Sequence, residues 1–130
     1  MSVHIDADVV VAWERGRFDL VAWLEARPAN EPISFSATAW QQLSFGKYAW
    51  EKPRAEKRRR HLEVLSRWKI KEFGEREADR AARLAAELKN ETIGLADFQI
   101  AASALEDNAE LLTFNVEHFQ RVPGLRLARA

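Results

Sequence analysis

Val3-His4-Ile5-Asp6-Ala7-Asp8-Val9-Val10-Val11-Ala12-Trp13 decides the fold. Val3 and Ile5 read as the end of a buried strand. Asp6 and Asp8 follow at once, and the apolar run behind them is long enough for a helix. A carboxylate at such a junction is costly to desolvate unless something pairs with it. In open α/β sheets the same junction is where ligands bind, outside the carboxyl ends of the strands. Asp6 is therefore an active-site candidate. Residues 8–15 read as a short helix, with Asp8 as N-cap and Gly16 as stop.

Working outward, residues 18–27 read as a second helix and 28–32 as a break. Ile33-Ser34-Phe35 is a second strand, and Ser36 or Thr38 caps a helix carrying Trp40, Leu43, Tyr48 and Trp50. Residues 54–68 read as a helix with Leu62, Leu65 and Trp68 on one side, and 69–73 as a strand sheltering Ile70. Residues 75–90 form an amphipathic helix with Ala78, Ala81, Ala82, Ala85 and Leu88 on its stripe. Residues 93–107 read as a further helix, 111–114 as a buried strand, 116–120 as one helical turn and 125–127 as a short edge strand. Strands alternating with helices imply an α/β fold with a parallel sheet covered on both faces.

Composition narrows the function classes. Apolar residues are 47% and charged residues 31% of the 130, ordinary for a soluble globular protein with room for one core. Twenty basic residues balance twenty acidic ones, so any polyanion binding must come from local patches. The absence of cysteine excludes disulfides, iron–sulfur clusters and cysteine-rich zinc sites, and suits a reducing cytoplasm. Neither a signal-peptide pattern nor an apolar run of about 20 residues is present, so a cytoplasmic protein is expected.

Two more residues join Asp6. Asp97 sits in the first turns of an otherwise apolar helix, where the dipole favours its ionised form. Asn115 directly follows the strand ending at Phe114, so a parallel sheet puts it on the same edge as Asp6. Clustered acidic and amide oxygens suit Mg²⁺ or Mn²⁺. Such ions activate water and steady an in-line phosphoryl transition state.

At these residues the chain resembles a known family. Ile5-Asp6-Ala7-Asp8, Gln42-Leu43-Ser44-Phe45-Gly46, Gly94-Leu95-Ala96-Asp97-Phe98-Gln99-Ile100-Ala101-Ala102, Thr113-Phe114-Asn115-Val116-Glu117-His118-Phe119 and Val122-Pro123-Gly124-Leu125 carry the likeness. They are similar to PIN-domain ribonucleases, most of all to the VapC-type toxins of toxin–antitoxin pairs. The resemblance spans essentially the whole chain, in order and spacing. It implies one PIN-like domain over residues 1–130: a three-layer α/β/α sandwich with a parallel sheet of four to five strands. It also implies an Mg²⁺- or Mn²⁺-dependent endonuclease cutting single-stranded or structured RNA. Asp6 and Asp97 match the family's first and third acids, and Asn115 its fourth position. Asp8 takes the polar place beside the first acid.

The second acid of the family, a Glu four residues before a Gly, is Gln42 here. Gln has nearly the shape of Glu, so the fold is untouched, but a charge is lost and metal affinity and water activation should fall. Gln42 is either a substitution that disarms a toxic nuclease or a feature of this branch; the sequence leaves both open. It also keeps alive an inactive PIN fold that only binds RNA or a partner. A further alternative is a HAD-like phosphatase, since Asp6-Ala7-Asp8 opens like that family's nucleophile motif. The segment around Asp97 fits that family poorly.

The remaining candidates lie off the acids. His118 stands close to Asn115 and is a secondary candidate for touching substrate. The run 52–60 holds six basic residues against one acidic, and Arg58, Arg59 and Arg60 are candidates for RNA phosphates. Five tryptophans are many for this length. Trp68 reads as core, while Trp13, Trp23, Trp40 and Trp50 are candidates for an interface. The resemblance implies an antitoxin segment across the first helices, pushing a basic side chain toward the acids, and a homodimer.

Overall fold

Short β-branched and aromatic runs alternate with longer helical segments, and the computed structural model, which describes residues 2–130, follows that alternation. The order is β1 (Ser2–Ile5), α1 (Ala7–Glu14), α2 (Leu20–Glu25), β2 (Ile33–Ser36), α3 (Ala37–Ala49), α4 (Arg54–Leu65), β3 (Lys69–Lys71), α5 (Glu75–Glu87), α6 (Leu95–Glu106), β4 (Ala109–Leu112), α7 (Val116–Phe119) and β5 (Arg126–Leu127). The strands form one parallel sheet ordered β3-β2-β1-β4-β5. Helices cover both faces, giving the expected α/β/α sandwich. Among the described residues no helix is long and apolar enough to cross a membrane.

The central strands read as continuous apolar runs because both faces are covered. Val3, Ile5, Phe35, Leu111 and Leu112 are fully buried. In register, Ile5 lies opposite Phe35 on one side and Leu112 on the other. Strand order runs outward from β1 in both directions, so the gap between the ends of β1 and β4 is the topological switch point, where open α/β sheets bind ligands. Asp6 follows β1 there, and Thr113 follows β4.

Three local expectations change and one open alternative is settled. The N-cap of α1 is Asp6, not Asp8. Asp6 keeps extended geometry (φ −79°, ψ 154°) and its N–H still donates to Leu112 O in the sheet, so the helix cannot start before Ala7. Asp8 falls in the first turn instead. On α5 the buried stripe runs through Ala81 and Leu84, with Ala85 and Leu88 half-buried, while Ala78 and Ala82 face solvent. The longer Leu84 takes the core side and turns the small residues outward. The fourth strand begins at Ala109 and ends at Leu112, which leaves Thr113 to Asn115 as a connecting turn at the sheet edge. Ser36, not Thr38, caps α3, accepting from Ala39 N at 3.1 Å.

Helix α6 explains how a carboxylate comes to the core's rim. Ile100, Ala101, Ala102 and Ala104 are buried to 1% exposure or less, so small residues let the helix press close to the sheet and against α5. Asp97 lies in its first turn.

Candidate active site

Asp6 is 6% exposed. Its Oδ1 accepts from Ala7 N at 2.7 Å and its Oδ2 from the Thr113 hydroxyl at 2.9 Å. Burial, then the nearby charge of Asp8, pushes its carboxyl up to about 7, against the hydrogen bonds from Thr113 and Ala7. Asp8 reaches across to the same turn. Its Oδ2 accepts from Phe114 N at 3.1 Å and from Thr113 Oγ1 at 3.3 Å. Its Oδ1 is buried without a hydrogen-bond partner. Burial raises the Asp8 carboxyl as well, opposed by these bonds.

Thr113 was not among the candidates read from the sequence, although it lies inside the motif around Asn115. It is 4% exposed, and its hydroxyl also accepts from Asn115 N at 3.0 Å. One hydroxyl thus ties β1's carboxylate to the turn after β4. The signal was a hydroxyl residue between a strand and a candidate ligand.

Asn115 caps α7, and its side chain turns to His118, with Nδ2 2.9 Å from His118 Nδ1. The same Nδ1 stands 3.4 Å from Asp97 Oδ2. Either Nδ1 accepts from the amide N–H, or a protonated Nδ1 donates to Asp97. Asp6, Thr113, Asn115, His118 and Asp97 therefore form a continuous polar chain across the switch point. Asp97 is near enough to raise the Asp6 carboxyl further.

Gln42 is exposed on α3, and its side chain makes no hydrogen bond to the other described residues. It stands between two concavities. One, about 440 Å³, is shared with Asp8, Glu14, Arg15, Trp50, Arg54, Lys57 and Arg58. The other, about 590 Å³, is lined by Phe45, Tyr48, Leu95 and polar neighbours.

The comparisons with known proteins bear on this geometry. A family model described as the PIN domain matches residues 3–125. The chain belongs to the PIN-domain family. Ribonuclease VapC2 of Rickettsia felis is 31% identical over 107 residues, 80% of this chain and 78% of that protein. Ribonuclease VapC of Rickettsia bellii is 29% identical over 130 residues, 98% of this chain and 95% of that protein. Among solved structures, VapBC2 from Rickettsia felis bound to a DNA fragment from their promoter superposes with TM-score 0.87 at 28% identity, covering 98% of both chains. VapBC-1 from nontypeable Haemophilus influenzae gives 0.85 at 26%, covering 98% of this chain and 97% of that one.

The donor set of this PIN domain fits a hard divalent ion. It consists of oxygens: Asp6, Asp97, the amide oxygen of Asn115, and the buried, partnerless Oδ1 of Asp8. Among the described residues no three His, Cys, Asp or Glu side chains are gathered tightly enough to hold an ion alone. Mg²⁺ suits such a set, since it keeps several waters and takes one or two carboxylates.

The other candidates fall elsewhere in this PIN domain. Arg58 is 4% exposed; its Nε and one terminal nitrogen hold Glu14 at 2.7 and 2.6 Å, and the other terminal nitrogen donates to Leu43 O at 2.8 Å. Arg59 and Arg60 are exposed on α4. Trp13, Trp23 and Trp40 are half-buried against the core, as is Trp68. Trp13 meets His61 and Trp40 meets Phe35, while the Trp23 indole donates to Arg129 O at 2.9 Å. Trp50 lies under Arg54 and Arg58, so close to Gly46 that a Cβ there would stand 2.8 Å from its ring. The apolar side chains most open to solvent are Tyr48, Leu95 and Phe45, at 79%, 74% and 64%.

Proposed function

We propose that this chain is a divalent-metal-dependent endoribonuclease, the toxin of a toxin–antitoxin pair acting in the cytoplasm. The observation that carries the reading is the polar chain from Asp6 through Thr113, Asn115 and His118 to Asp97, at the sheet's switch point. The names of its VapC relatives support it. Asp6 and Asp97 would hold Mg²⁺ or Mn²⁺, with Asn115 assisting through its amide oxygen. The ion supplies a water of lowered pKa and charge to offset the phosphate's.

The chain's own groups set the rest. Thr113 fixes the Asp6 carboxylate from the β4 side, and Ala7 N fixes it from the helix side. His118 Nδ1 stands between Asn115 and Asp97 and bonds one or the other according to its protonation. Gln42 occupies the family's second acid position, where an acid would strengthen metal binding and water activation; its amide supplies no charge. The reaction is in-line attack of water on a phosphodiester, with no covalent enzyme intermediate. The phosphatase reading is disfavoured because the family model that matches residues 3–125 is that of the PIN domain.

Two partners belong to the proposal. An antitoxin segment would lie across α1 and α2, beside the half-buried Trp13 and Trp23, and reach the acids; the VapBC neighbours support this. A second copy of the chain would cover Phe45, Tyr48 and Leu95, beside Gln42. One competing reading, a binding module without useful catalysis, is favoured by Gln42 alone.

Incubating structured and single-stranded RNA with the protein in Mg²⁺ or Mn²⁺ tests the proposal. The expected result is cleavage that chelation stops and that Asp97→Asn lowers by about 10²-fold or more, a loss of about 2.7 kcal/mol of transition-state stabilisation. Cleavage that survives chelation or Asp97→Asn would refute it.

A further inference from the structure

The cleft shared by Asp8 and Gln42 has a second character that the acids do not explain. Arg15, Arg54 and Lys57 line it, all exposed, and none has a carboxylate partner among the described residues. The one acid in that wall besides Asp8 is Glu14, already neutralised by the Arg58 fork at 2.6 and 2.7 Å. The cleft is therefore lined by unpaired positive charge.

Its placement on α4 is costly to the helix itself. Arg54 and Lys57 flank the one acid of the first turn, Glu56, which faces Lys52 at 3.4 Å instead, and Pro53 gives no side-chain cap. Cations there add to the positive potential of the helix start and favour an anion. Arg54 is also held in place, its guanidinium 3.6 Å over the Trp50 ring, which packs on Gly46. A stacked guanidinium keeps its N–H edges free for bidentate contact with phosphate. The volume, about 440 Å³, is in the range of small-molecule sites. By contrast Arg58 is consumed by Glu14 and Leu43, and neither Arg59 nor Arg60 lines the cleft.

We propose that this cleft is a phosphate subsite in which Arg15, Arg54 and Lys57 bind the RNA backbone next to the bond that is cut. The inference rests on the nuclease reading above. An acidic protein segment is the other polyanion of matching charge. RNA is favoured because the cleft opens on Asp8 and Gln42, so a strand placed at the acids has its next phosphates here.

The test is fluorescence anisotropy of a short labelled oligouridylate bound to the full chain in EDTA, as salt rises from about 50 to 200 mM. Each phosphate contact on a single strand contributes about 0.7 to the slope of log K against log salt. Arg15→Gln/Arg54→Gln/Lys57→Gln is expected to lower the slope by about 2. Lys57→Gln alone, which leaves Trp50 covered, is expected to lower it by about 0.7. Arg59→Gln/Arg60→Gln is expected to keep the wild-type slope. An unchanged slope in the folded triple variant, or an equal loss in the Arg59/Arg60 variant, overturns the subsite. So does a triple variant that keeps RNA binding but loses binding of polyglutamate, which assigns the cleft to an acidic protein segment. If the wild type cleaves RNA while the triple variant keeps its slope, only the subsite falls. If the wild type neither binds nor cuts RNA, the nuclease reading falls with it.

Discussion

Asp6 caps α1 and closes a hydrogen-bonded corner with Thr113, and both roles follow from its burial. Its carboxyl, pushed up to about 7, stands well above the value of about 4 expected of an unfolded chain. Between those two values the folded protein keeps a proton that the unfolded chain has lost, so Asp6 makes stability fall as pH rises through that window. Asp6→Asn keeps the shape and the cap but removes the charge. Its melting temperature in EDTA should exceed that of wild type at about pH 8, and the difference should vanish near pH 4. Thermal melts across that range check it, and a pH-independent difference would contradict it. Buried His4, whose pKa burial lowers despite Asp107, acts in the opposite sense but cancels in the subtraction. At this scale Asp6, Asp97 and Asn115 were legible because their residue types stand out against apolar surroundings. Thr113 was not, because a threonine at a strand end looks like any β-prone residue until the neighbouring strand is placed beside it.

Elements depend on a strut that sequence periodicity cannot show. Arg58 joins α4 to Glu14 at the end of α1 and to Leu43 O in α3, directly beside Gln42. The side chains of Arg58 and Glu14 are 5% and 13% exposed, so removing one leaves a buried charge. Arg58→Ala should cost about 3–5 kcal/mol in denaturant unfolding, and Glu14→Gln/Arg58→Met should recover most of it. A loss under about 1 kcal/mol for the single variant would show that the pair is solvated. The basic run of α4 was visible in the sequence; that one arginine turns inward was not, because its partner lies 44 residues away. The cap of α1 failed for a related reason. Asp6 and Asp8 are equally good capping residues, and only the sheet bond from Asp6 N to Leu112 O decides where the strand stops.

For the whole molecule, alternating strands and helices, with the buried strand read at 111–114, were enough to read a parallel sheet covered on both faces. The strand order was not legible: nothing in β4's composition says that it pairs with β1 on the side opposite β2. That order creates the switch point and so brings the acids together. The exposed Phe45, Tyr48 and Leu95 lie beside Gln42 rather than on the tryptophans singled out from the sequence, which were counted for their size, while Trp13, Trp23 and Trp40 are half-buried against the core. If a second copy covers this patch, Tyr48→Glu/Leu95→Glu should shift the protein from dimer to monomer in sedimentation equilibrium without lowering its melting temperature. A wild type that is already monomeric would contradict it.

The central claim is that Asp6, Gln42, Asp97 and Asn115 form one metal-dependent nuclease centre that is short of a carboxylate. Its most direct test is the rate of Mg²⁺-dependent RNA cleavage by Gln42→Glu against wild type, with Gln42→Glu/Asp97→Asn as control. Gln42→Glu is expected to gain about 10-fold or more, equivalent to about 1.4 kcal/mol of transition-state stabilisation, and Asp97→Asn to remove the gain. An unchanged rate in a folded, RNA-binding Gln42→Glu protein would contradict it.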